Sequence, residues 1–92
     1  MKEYNERQST TEILVYSGDF TEAMQEGETI SSVNITHTPP SGSALTPAPA
    51  SSGFIGSVLL GPLTVTGWHT LKMQVVGSAG TKPEVHWKIN VS

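Results

Sequence analysis

The chain has 92 residues, 36% hydrophobic and 14% charged, with a formal net charge of −3 and no cysteine. That length builds one core and excludes a scaffold domain with a separate catalytic one, and the missing cysteines exclude a disulfide framework and a thiolate metal site. The five Lys and Arg residues (Lys2, Arg7, Lys72, Lys82, Lys88) are scattered, whereas phosphate tracking needs clustered positive charge, so no nucleic-acid binding is expected.

Residues 1–11 are polar and lack a periodic apolar pattern, which predicts a flexible N-terminal arm ahead of a domain over 12–92. The same stretch has no apolar region of signal-peptide type, and nothing in the chain approaches the roughly 18 to 20 apolar residues of a membrane span. The expectation is a soluble intracellular product. Ile13-Leu14-Val15-Tyr16 is β-branched and aromatic and reads as the first strand, closed by Ser17-Gly18-Asp19 as a turn. Phe20 to Gly27 is a helix-compatible connector, with Thr21 as a candidate cap and Gly27 as the stop.

Glu28 to Thr38 reads as a strand with Val33, Ile35 and His37 on one face and Ser32, Asn34 and Thr36 on the other. Ile30 is out of phase, which predicts a bulge near Ser31. Prolines 39, 40, 47 and 49 bar a central strand from Pro39 to Gly53, since each removes a ladder donor, and leave room for a short edge strand around Ala44 to Thr46. Phe54 to Leu60 and Leu63 to Val65 read as two strands, or one kinked strand, divided by Gly61-Pro62.

The C-terminal third carries the sharpest pattern. Leu71, Met73 and Val75 alternate with polar residues, as do Val85, Trp87, Ile89 and Val91, and Gly77-Ser78-Ala79-Gly80-Thr81 between them fits a three-residue hairpin loop with Gly80 at positive φ. Centring the register on Ala79 opposes Met73 to Val85 and Leu71 to Trp87 on the inner face. It pairs Gln74 with Glu84, Lys72 with His86 and Thr70 with Lys88 on the outer face, whereas a slip of one residue would oppose Trp87 to Lys72. Six or seven short antiparallel strands without a long helix describe an all-β sandwich, Ig-like or fibronectin type III-like, in which Trp87 or Trp68 supplies the core aromatic.

No residue pattern points to catalysis, a metal or a cofactor. His37, His69 and His86 have no metal-ligand spacing and are expected as solvated strand histidines. Asp19, Glu22, Glu26 and Glu28 lack the calcium-loop pattern and are expected as a solvated acidic loop. No Gly-x-Ser-x-Gly elbow and no Gly-rich phosphate loop occurs, so the chain is read as not an enzyme. Phe54 and Leu45, beside the proline-rich segment, are candidates for an exposed apolar edge that recruits a partner by strand addition. Tyr4 and Trp68 are the aromatics placed to join such a partner-binding set.

Asp19-Phe20 followed by Gly27-Glu28-Thr29-Ile30-Ser31-Ser32-Val33, together with the hairpin Trp68 to Val91 around Ser78-Ala79-Gly80-Thr81, resembles small Ig-like virion proteins of tailed bacteriophages and prophages. These include tail, fibre-adaptor and head-decoration components. The similarity spans about residues 13 to 92; the chain departs from it in its Ser-Gly-Ser to Pro-Ala-Pro-Ala middle and in Gly61-Pro62. The resemblance implies a multicopy, homo-oligomeric or partner-docked virion module, assembled in the host cytoplasm, whose partners are other tail or capsid proteins. The same fold would also suit a carbohydrate-binding or adhesion module stacking a glycan on Trp68, Tyr16 or Tyr4.

Overall fold

The computed structural model describes residues 2–92, whose strands are β1 (Lys2–Gln8), β2 (Leu14–Asp19), β3 (Ile30–Thr38), β4 (Pro49–Ser52), β5 (Ile55–Leu60), β6 (Gly67–Gly77) and β7 (Glu84–Val91). They form a four-stranded sheet in the order β1-β7-β6-β3 and a three-stranded sheet in the order β2-β5-β4. The chain is thus an all-β sandwich of the immunoglobulin or fibronectin type III kind. Its neighbouring strands are antiparallel except for β1, which runs parallel to β7.

The hairpin β6–β7 has the register its loop dictates: Met73 opposes Val85, Leu71 opposes Trp87, and Lys72 opposes His86. Gly80 has φ +93° and donates to the Gly77 carbonyl at 2.9 Å, while the Gly77 N–H reaches the Thr81 carbonyl at 2.8 Å. Strand β3 adds to the other side of β6, pairing Ile35 with Met73 and His37 with Leu71, and its register shifts between Ile30 and Ser32. That bulge brings Ile30 back to the core side, where it packs with Val33 and Ile35.

The inner faces meet in one core. Tyr16, Phe20, Val58, Leu60 and Leu63 come from the β2–β5 side, and Leu71, Met73, Val75, Val85, Trp87, Ile89 and Val91 from the hairpin. Trp87 is the core aromatic, packed edge-on against Tyr16 with ring centroids 5.7 Å apart. Gly56 and Gly18 sit where the sheets come closest: a Cβ at Gly56 would lie 2.9 Å from Met73 Sδ, and one at Gly18 would lie 3.1 Å from Val85.

Several segments differ from the sequence expectation. Residues 2–8 of the predicted arm form strand β1, and Met1 lies outside the described residues. Seven register pairs tie β1 to the open edge of β7. This ordering comes from backbone hydrogen bonds, which a polar sequence makes as well as an apolar one. Its charged side chains suit an edge that must not recruit further strands.

Ser17-Gly18-Asp19 continues β2 because the partner strand β5 runs alongside it as far as Ile55. The connector is a single 3₁₀ turn, Thr21–Ala23, with Phe20 rather than Thr21 at the cap position. Thr21 instead donates its N–H and hydroxyl to Asp19 Oδ1, at 3.0 and 2.6 Å. The edge strand of the proline-rich segment is Pro49–Ser52, not Ala44 to Thr46, and its proline stands where only one side has a partner strand. Leu63 to Val65 is not a strand; after the cis Gly61–Pro62 bond it drops Leu63 into the core as a plug.

Candidate interaction surfaces and buried polar clusters

Alternation along β2 and β5 leaves Ile13, Val15, Ile55 and Leu59 on the outer face of the smaller sheet, where Val15 and Leu59 are directly paired and 63% and 60% exposed. Strand β2 is also an edge of that sheet. A large apolar pair held in water over a free strand edge is the kind of surface that partners cover.

The four candidate contact residues are divided between the two ends of the sandwich. Tyr4 pairs with Trp87 on β7 and stacks over its ring at 6.3 Å, remaining 44% exposed. Phe54 is half-buried in the β4–β5 turn, where its carbonyl accepts the Phe20 N–H at 2.8 Å. Trp68 is 56% exposed at the start of β6, and Leu45 lies in the loop beside the far end of β3. They form no single patch, since strand order sends Tyr4 and Phe54 to one end and Trp68 and Leu45 to the other.

At the Tyr4 end, a cleft of about 340 Å³ opens between β1 and β2. Its walls include Tyr4, Gly18, Phe20, Pro83 and Val85, with Asp19 and Glu22 at the connector. At the other end of β1, Gln8 is fully buried: Tyr16 Oη donates to Gln8 Oε1 at 2.8 Å, and Gln8 Nε2 donates to the Glu12 and Leu60 carbonyls at 2.8 and 3.1 Å. Burial, reinforced by Glu6 and Glu12, pushes the Tyr16 hydroxyl up to about 12.

His37 and His69 are buried, correcting the expectation of solvated rings, and lie edge to edge with centroids 5.1 Å apart and planes 4° from parallel. The Leu45 N–H points at His37 Nδ1 at 2.9 Å, so that nitrogen accepts and the proton sits on Nε2. His37 Nε2–H then donates to His69 Nδ1 at 2.8 Å, and His69 Nε2–H to the Val65 carbonyl at 2.7 Å. In this arrangement each ring donates once and accepts once, the pattern of a neutral imidazole. Desolvation, then His69, holds His37 below the ordinary histidine range. The alternation that puts His37 on the face of Val33 and Ile35 was the available clue to its burial; carried two residues back from Leu71, the same period would have reached His69.

Glu28 likewise leaves the expected solvated loop. Its carboxylate is buried under the hairpin loop and accepts from the Gln25 N–H at 2.9 Å, the Thr81 hydroxyl at 2.7 Å and the Ala79 N–H at 2.9 Å. These donors, the Gln25 amide foremost, hold the carboxyl below its ordinary value. Glycine at 77 leaves room for it, because a Cβ there would collide with the Glu28 carboxylate.

His86 does face outward, bonding Glu84 at 2.9 Å, and this contact is the main cause that lowers Glu84. Lys72–Glu84 at 3.9 Å, half-buried, and Lys88–Glu3 at 3.6 Å, exposed, are surface pairs of the kind worth about 0 to 1 kcal/mol. Among the described residues, no group of three or more His, Asp or Glu is placed to hold a metal ion, and no helix is long and apolar enough to cross a membrane.

No protein-family model and no curated protein matches the chain. Among solved structures, it is similar to the 2,6-sialyltransferase of Photobacterium sp. JT-ISH-224, crystallised with CMP and lactose, at TM-score 0.52 and 12% identity. The match covers 98% of this chain and 17% of that one, so the chain spans about a sixth of that protein's length. At this identity the likeness concerns the fold alone.

Proposed function

We propose that the domain is a non-enzymatic interaction module of a phage or prophage virion, docking in several copies on other tail or capsid subunits. The observation that carries the docking reading is the apolar pair Val15–Leu59 with Ile13 next to it, exposed on the outer face of the smaller sheet, and Ile55 on the same face beyond the Ser17–Ser57 pair. Covering such side chains returns about 25 cal/mol per Å² of apolar surface, which a folded domain has no means of gaining by itself once its core is filled. The virion assignment rests on the Asp19-Phe20, Gly27 to Val33 and Ser78 to Thr81 segments described above.

The test is light scattering over a concentration series, with and without tail and capsid subunits of the same genome, for the natural chain and a Val15→Lys/Leu59→Lys variant. The expected result is a defined assembly that the variant fails to form while keeping its fold. A natural chain that stays monomeric and binds none of those subunits overturns the reading.

A glycan-binding module is the second reading, favoured by the exposure of Trp68 on the outer face of the larger sheet. Saturable binding on a glycan array that disappears in Trp68→Ala would establish it in place of the first.

A further inference from the structure

We propose that the His37–His69 pair is an acid-operated latch: with both rings neutral it fastens the loop over 39–48 and the segment over 61–66 to the sandwich, and protonation of either ring releases them. The geometry is a relay of single donors and single acceptors. It runs from the Leu45 N–H through His37 and His69 to the Val65 carbonyl, so one end holds the proline-rich loop and the other holds the segment that inserts Leu63. Each neutral imidazole has one N–H and one lone pair, and all four ring nitrogens are committed.

A further proton has two places to go, and both break the relay. On His37 Nδ1 it confronts the Leu45 N–H; on His69 Nδ1 it confronts the His37 N–H. The result is a donor against a donor in a buried place, with a charge that has no partner. Rotating a ring does not help, because the two rings lie edge to edge with planes 4° from parallel and both nitrogens of each are held by partners, beside a cavity of about 50 Å³ lined by Pro39, Leu45, Leu63 and Val65. The economical response is for the loop to leave and let water in.

No carboxylate is hydrogen-bonded to either ring: Glu6 and Arg7 of β1 lie at the register of Ile89 and Asn90 and Glu12 precedes β2, but all four ring nitrogens are spent on Leu45, Val65 and each other. From Thr38 to Gly67 the sequence has no Asp, Glu, Lys, Arg, Tyr or His, so neither the loop, β4, β5 nor the 61–66 segment titrates. On β3, His37 is the one titratable residue. On β6 and β7, Lys72, Glu84, His86 and Lys88 alternate with the inward residues and belong to the outer face. On β2, Tyr16 faces inward but spends its hydroxyl on Gln8. The two histidines are therefore the acid sensor of this end of the sandwich, while the hairpin β6–β7 is held together without them.

The test is amide hydrogen exchange and two-dimensional NMR of the full chain, from about pH 7.5 to about pH 4, a window carried below the ordinary imidazole titration because burial holds His37 under it. The expected result is that the protection of the Leu45 amide, corrected for intrinsic rates, falls at least about tenfold on acidification while Met73 and Val85 stay protected. In a His37→Phe/His69→Phe variant the loop signals should no longer move with pH. If that variant does not fold, the natural chain decides alone. Loss of Leu45 and Met73 protection together, as one global unfolding, overturns the latch. So does a Leu45 amide that is unchanged while imidazole nitrogen shifts show His37 or His69 taking its proton.

Discussion

Replacing Gln8 by leucine tests the ordering of β1 most directly, because Gln8 is the buried polar residue that ties this strand to the other sheet. The substitution keeps approximate volume but removes three hydrogen bonds. The Glu12 carbonyl is only part-buried and can turn to water, and the Leu60 carbonyl keeps the Leu14 N–H opposite it in the β2–β5 ladder, which leaves the Tyr16 hydroxyl as the buried group without its partner. At about 1 to 3 kcal/mol for an orphaned group, the expected loss is about 2 kcal/mol. For a domain of this size that lowers Tm by roughly 8 to 16 °C.

Urea unfolding followed by Trp87 fluorescence, with an unchanged m-value, measures the loss. Tyr16→Phe and the double variant complete a cycle whose coupling should be about 1 kcal/mol or more, because each residue satisfies the other. A Gln8→Leu chain within about 0.5 kcal/mol of the natural one, the scatter of ordinary surface changes, would refute the argument and return residues 2–8 to the status of a loose arm.

Tyr16 should also make the fold alkali-sensitive. Its hydroxyl is raised from 10.0 to about 12, so stability is complete below pH 10 and falls as pH climbs toward 12; Tyr16→Phe should flatten that part of a pH–stability curve. Glu28 acts at the other end of the scale. With its folded value below the ordinary 4.5, the stabilisation it provides is present above pH 4.5 and is lost as pH falls through the folded value, a dependence Glu28→Gln should remove in acid titrations followed by circular dichroism. Gly77→Ala, which forces a methyl into the Glu28 carboxylate, should cost about 1 to 3 kcal/mol in urea unfolding. Leu71→Ala, at a fully buried site between β3 and β7, should cost about 2 to 5 kcal/mol by the same measurement.

The amino-acid pattern is enough to specify the sandwich and the register of its last hairpin. Alternation with a period of two fixes which face of a strand is apolar, and a loop with glycine at positive φ fixes which residues oppose. It also determined the bulge at Ser31, because Ile30 broke the phase of Val33 and Ile35. Tertiary structure alone decided the rest. Strand β1 is polar in composition and exists because β7 offers a free row of backbone donors and acceptors, a property of the assembled sheet and not of residues 2–8. His37 and His69 are 32 positions apart and Glu28 and Thr81 are 53 apart. Residue type alone assigns such side chains to solvent, even where alternation aligns His37 with Val33 and Ile35, until the fold supplies the distant partner that makes burial tolerable.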